Sequence, residues 1–173
     1  MSEKKESRPE PWLRGTLGEV PPLARGVLHA LELAQEDLHK WCGALNAEQV
    51  RAQPAGLASV TFQLRHIAGS IDRLLTYAEG GGLSEMQMQR LQNEKSPGGT
   101  AEEILAELDA AIARAGRRVR ALAPLDPALA RTVGKKRLPS TLGGLLVHVA
   151  DHTQRHVGQA IITAKLVSAK KAL

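Results

Sequence analysis

Apolar residues return at three- and four-residue steps in four long stretches of this chain, the interval that lines up one face of an α-helix. The first follows Pro21 and Pro22 and runs to about Leu45, with Val27, Leu31, Leu38, Trp41 and Leu45 on its apolar line. A second starts near Ser59 and extends to about Glu79 through Leu64, Ile67, Ile71, Leu74, Leu75 and Ala78, until Gly80, Gly81 and Gly82 stop it. Residues 83–99 form a connection with one short helix expected around SEMQMQRLQ, closed by the SPGG run. Thr100 followed by Glu103 makes a capping box, in which the threonine oxygen accepts from the third amide and the glutamate reaches back to the cap amide. Ile104, Leu105, Leu108, Ile112, Val119 and Leu122 then carry the third long helix to Pro124 and Pro127. Within residues 128–139, TVGKKR is expected to form a small hairpin with Gly134 at its tip. Pro139, Ser140 and Thr141 open the fourth long helix, which runs to about Ala169.

Four amphipathic helices bury their stripes most simply as a four-helix bundle, so the predicted fold is all-α with long connections after the second and third helices. At 173 residues the chain has the length of one domain, placed at residues 21–173 behind a charged, poorly ordered tail over residues 1–20. Aromatic residues make up 2% of the sequence, against the usual content of a β-sandwich or barrel. The start, MSEKKESRPEP, has no apolar stretch resembling a signal peptide or membrane span, and Cys42 is the sole cysteine, which fits a reducing, cytoplasmic setting. No internal repeat or low-complexity tract is present.

The formal charge of +5 raises nucleic acid as a partner, but the basic residues are scattered. Arg114, Arg117, Arg118 and Arg120 share a helix with Glu102, Glu103, Glu107 and Asp109, and Lys165, Lys170 and Lys171 decorate the last helix and its end. Neither segment offers aromatic residues on which bases would stack, so both read as solvated helix surface, with no nucleic-acid or membrane partner. Lys135, Lys136 and Arg137 sit in a connecting loop where they can greet an anionic substrate.

Chemistry concentrates in TLGGLLVHVADHTQRHVGQAIITAKLV, where His148, His152 and His156, three of the chain's six histidines, follow one another at four-residue steps. Residues four apart on a helix sit roughly 6 Å apart on one face, close enough for two imidazoles to converge on one ion. His148 and His156 are about 12 Å apart along the axis, so the chelating pair is 148/152 or 152/156, and spacing does not choose. A third ligand must come from another helix. His66 is the best donor, on a stripe of the second helix about 100° from the Ile67, Ile71 and Ala78 line and shared with Phe62, Ser70 and Tyr77, the only Phe and only Tyr. His152 and His156 fall at the edge of the face formed by Leu142, Leu146, Val149, Val157 and Ala160, so both sets border the bundle interior. Phe62 and Tyr77 read as cleft walls, and Arg73 on the same flank as a grip for a substrate carboxylate. His29 and His39 have no partner at ligand spacing, and Cys42 beside Trp41 reads as a buried thiol.

RHIAGSIDRLLTYAEG, followed much later by LLVHVADHTQRHVGQAI, resembles the DinB/YfiT-like superfamily of small bacterial damage-inducible bundles, over nearly the whole chain. In that family a histidine of the second helix and a His-x-x-x-His pair on the last long helix bind a divalent metal. The resemblance therefore implies His66, His152 and His156 as ligands and His148 as a neighbour one turn earlier. It implies zinc foremost, with nickel, iron or manganese as alternatives, and frequent pairing of the chain as a homodimer.

Three neutral imidazoles leave an ion's charge uncompensated and one position open, the pattern of a catalytic site. Water bound there would have its pKa lowered toward 7, and a thiol would be deprotonated outright. Hydrolysis usually calls for a nearby carboxylate base, and this motif lacks the glutamate of His-Glu-x-x-His; Asp151 points about 100° from His152, while Glu32 and Asp72 are unplaced. The expectation is thus a metal-dependent enzyme that activates a low-molecular-weight thiol for transfer to an electrophile, an activity the resemblance also implies. A non-catalytic metal or stress-response binding protein and a metal-dependent hydrolase are the alternatives.

Overall fold

A computed structural model describes residues 8–96 and 98–169. Four long helices form the expected bundle: α1 (Pro22–Cys42), α2 (Val60–Ala78), α4 (Ala101–Leu122) and α5 (Leu142–Ala169), with the short α3 (Glu85–Asn93) between the second and third of them. Each long helix packs against two others, so that α1, α5, α2 and α4 follow one another around the core. The apolar positions read from the sequence are the ones that meet there: Leu31, Leu38, Leu64, Ile67, Ile71, Leu108, Val119, Leu142 and Val149 are all buried. Full burial of a leucine or isoleucine contributes roughly 1.5–3 kcal/mol, enough that this ring of side chains dictates the helix order.

Local signals place the helix ends. Ser59 Oγ accepts from the Phe62 amide at the start of α2, and Thr100 with Glu103 closes both halves of the capping box before α4. Ser84 and Gln87 form a second capping box that opens α3. The hairpin pairs β1 (Ala130–Val133) with β2 (Leu138–Thr141) in antiparallel register, Val133 opposite Leu138, around a turn in which Gly134 takes a φ of +71°. Lys135, Lys136 and Arg137 are exposed in that turn.

Five expectations need correction. Pro139, Ser140 and Thr141 belong to β2 and not to the last helix, which opens at Leu142 with Thr141 Oγ1 accepting from the Gly144 amide. The first helix stops at Cys42, although Leu45 beyond it still reaches the core. Leu74 is half-buried and packs beside the core, outside its fully buried set. Trp41 is 36% exposed, with its ring beneath the Lys165 ammonium at 4.2 Å. Residues 8–20 of the expected tail are docked: Pro11 and Val20 are buried, and Arg14 grips Glu36 through two 2.7 Å bonds and Glu32 through one of 2.8 Å. Residues 1–7, Lys170 and Lys171 lie outside the described residues.

Candidate metal centre

The four-residue repeat of α5 and the flank of α2 face one another, and three imidazoles meet between them. Ring centroids are 5.1 Å apart for His66 and His152, 4.4 Å for His66 and His156, and 4.6 Å for His152 and His156. One ring nitrogen from each falls within 4.8 Å of the others, and this is the sole cluster of three or more metal-competent side chains among the described residues. His148 stands outside it. Its ring is 5.4 Å from that of His152, but the side chain is exposed and turns toward Asp151.

Hydrogen bonds on the outer side of each ring select which nitrogen faces inward. His66 Nδ1 lies 2.8 Å from Glu94 Oε2, and a carboxylate only accepts, so Nδ1 carries the proton. His156 Nδ1 lies 2.7 Å from Gln63 Oε1, and the Gln63 amide is oriented by donating from Nε2 to Gln159 at 3.0 Å. His152 Nδ1 is 3.3 Å from Ser70 Oγ, whose own hydrogen goes to the Ile67 carbonyl, leaving the oxygen to accept. All three Nδ1 atoms are thereby engaged as donors, and the Nε2 lone pairs are left to converge. Metal-binding histidines are characteristically held in this way, through the nitrogen that does not ligate.

Electrostatics keeps the lone pairs available. Burial, followed by the nearby imidazoles of His156, His66 and His148 and by Arg155, pulls the His152 pKa down to about 4. Burial, His66 and Arg155 likewise lower that of His156, against a smaller opposing effect of Glu94. Neutral imidazoles at physiological pH are the form that ligates a metal.

Glu94 is the residue that sequence reasoning missed. It caps the C-terminal end of α3, is only 5% exposed, and divides its two oxygens between His66 and Arg73 Nη1, the latter at 2.6 Å. A glutamate this buried needs such partners. Gly69 makes room for the pair: a Cβ there would stand 2.5 Å from Glu94 Oε1 and 2.7 Å from Arg73 Nη1. Gln63 and Gly69 also went unremarked as parts of the site, though both lie on the same flank of α2 as His66.

Of the expected cleft residues, Phe62 stacks on His66 at 5.4 Å with ring planes 17° apart. Tyr77 lies about 16 Å further along α2, half-buried against the core and away from the imidazoles. Arg73 is tied to Glu94 with its side chain 11% exposed, a different task from the expected grip on substrate. The carboxylates considered as bases are elsewhere: Asp72 pairs with Arg118, Glu32 with Arg14, and Asp151 with Arg155. The remaining histidines are apart as well, His29 against Thr16 and His39 against Asp109. Cys42 is fully buried, which pushes its thiol up to about 12 and removes it as a nucleophile.

A divalent ion fits this donor set, with three imidazole nitrogens brought together, each ring bonded through its Nδ1, and no fourth protein ligand in the cluster among the described residues. No helix among the described residues is long and apolar enough to cross a membrane. Comparison with family models matches residues 30–160 to the DinB superfamily, a span that includes every residue of the imidazole cluster and its partners. A search of curated proteins returned no match.

Proposed function

From the premise that the chain belongs to the DinB superfamily, we propose that it is a divalent-metal-dependent enzyme activating a low-molecular-weight thiol for transfer to an electrophile. His66, His152 and His156 would hold the ion, zinc foremost. A divalent ion in such a three-imidazole site supplies a Lewis-acidic open position that lowers the pKa of a thiol or water placed there.

The chain's own residues do the rest. Glu94, Gln63 and Ser70 hold the Nδ1 protons and so fix each ring's tautomer and direction. Phe62 covers one face of His66 and restricts its rotation. Arg73 holds Glu94 in place, and a carboxylate behind the imidazole raises its basicity as a ligand. The observation that carries the reading is the meeting of three imidazoles, each bonded through Nδ1, beside a carboxylate, Glu94, that has both oxygens committed. Thiol activation needs no further base, whereas hydrolysis of an ester or amide usually does. That distribution of carboxylates favours transfer over hydrolysis.

The test is direct. Metal-loaded protein incubated with bacillithiol, mycothiol or glutathione and a model electrophile should form conjugate, and His152→Ala should abolish it. No turnover with any of the thiols, in protein that carries its metal, overturns the transferase reading. Sustained metal binding without turnover of thiols or of ester and amide substrates would support a non-catalytic metal-binding protein in its place.

A further inference from the structure

The flank of α2 next to the imidazoles carries a second feature. Between α2, α3 and α4 lies a cavity of about 760 Å³ whose wall includes Glu94 but none of the three clustered histidines. Four arginines line it: Arg65 and Arg73 from α2, Arg90 from α3 and Arg114 from α4.

The acids along the wall are already matched. Asp72 is paired with Arg118 at 2.7 Å and accepts from Gln87 at 2.8 Å. Glu94 is shared between Arg73 and His66. Glu107 lies 3.8 Å from Arg65 Nε, whose other nitrogens donate to the carbonyls of Ser96 and Gly98. Arg90 and Arg114 have no carboxylate within salt-bridge distance among the described residues. Two unspent guanidiniums from different helices thus line one concave space. With the wall acids matched, the charge left uncommitted in the cleft is positive, and guanidinium presents the planar fork that matches carboxylate and phosphate oxygens. Ala68, Gly69, Ala110 and Ala111 supply the small side chains that keep the cavity open.

We propose that this cleft binds a small molecule carrying two anionic groups, carboxylate or phosphate, with Arg90 and Arg114 as its anchors. The proposal stands apart from the imidazole cluster and holds whether or not a metal binds there. Because Arg73 and Glu94 form part of the cleft wall and Glu94 also bonds His66, an occupant sits within two side chains of that cluster.

The full chain is titrated calorimetrically at low salt with succinate and, separately, with inorganic pyrophosphate. Saturable one-to-one binding of at least one probe is expected, and the stronger of the two identifies carboxylate or phosphate as the natural chemistry. Removing one charged hydrogen-bonding anchor costs roughly tenfold in affinity, so Arg90→Gln with Arg114→Gln should weaken binding by about a hundredfold. Arg117→Gln with Arg120→Gln removes the same charge from α4 outside the cleft and should leave binding within about twofold. His66→Ala should also bind the probe, with circular dichroism confirming that every variant is folded. No saturation by either probe, equal weakening in the two double variants, or loss of binding in His66→Ala would each overturn the proposal, the last by placing the anion at the imidazoles.

Discussion

The two flanks of α2 present opposite chemistry. Toward α5, three imidazoles bring one ring nitrogen each within 4.8 Å of the others, an arrangement suited to a cation. Toward α3 and α4, four arginines line a cavity, the arrangement proposed to take an anion. The two adjoin along one helix, and one carboxylate, Glu94, touches both, bonding His66 and Arg73. The contrast shows how a single apolar stripe, by fixing where α2 lies in the core, leaves each of its two polar flanks free to specialise. It also gives Glu94 a double duty that substitutions can separate.

The largest expected effect comes from the ligands themselves. Deleting one of three imidazoles, as in His66→Ala, His152→Ala or His156→Ala, should weaken zinc binding by roughly three orders of magnitude in competition with a chromophoric chelator. His148→Ala, one turn away on the same helix, should leave affinity within about threefold, since that side chain is exposed and outside the cluster. Equal losses at His148 and His152 would erase the distinction between ligand and neighbour.

Glu94→Gln comes next. It removes the carboxylate behind His66 and strands Arg73, and zinc affinity should fall by roughly 10–100-fold, as for other partners of ligating histidines. Arg90→Gln with Arg114→Gln should leave zinc affinity of the anion-free protein close to wild type. A smaller loss is expected from Gly69→Ala. Alanine favours the helix by about 1 kcal/mol over glycine, yet its Cβ would collide with the Glu94–Arg73 pair. The helix gain and the displaced pair oppose one another in thermal stability, whereas zinc affinity should fall severalfold through Glu94.

The smallest effect concerns protons. His152 titrates near 4 in the folded chain against an ordinary 6.5, so between those values the unfolded state binds more protons than the native state. Stability of the metal-free protein should accordingly decline as pH falls from about 6.5 toward 4, and His152→Ala should flatten that part of the curve in denaturant titrations. A slope of the opposite sign would place His152 in a charged, paired environment.

The sequence was legible wherever a helix face was the information required. The apolar periods gave the four long helices and most of the core, the Thr100–Glu103 pair gave the start of α4, and the four-residue histidine spacing narrowed the chelating pair to 148/152 or 152/156, between which the family resemblance chose the two that join the cluster. Partners across elements were not legible. Glu94 sits at the end of a short helix with no buried residue of its own, and nothing in QNEK marks it as the group that reaches His66. Arg73 read as a free cation for the same reason, since its partner lies 21 positions away. The docking of residues 8–20 escaped notice because an arginine between two glutamates leaves no periodic trace. Trp41 went the other way: its apolar phase pointed to the core, but Lys165 from α5 offers its ring a cation at the surface. The arginine cleft was hidden similarly, with Arg114 and Arg118 reading as one solvated stripe although Arg118 spans to Asp72 and Glu79 on the α2 side.

The central claim is that three Nε2 atoms take one divalent ion. X-ray absorption at the metal edge, on purified protein whose metal content is measured at the same time, tests it most directly. One ion per chain, coordinated by three imidazole nitrogens and losing one of them in His66→Ala, is the predicted result. An ion bound without imidazole scattering, or an absorption spectrum unchanged by His66→Ala, would contradict it.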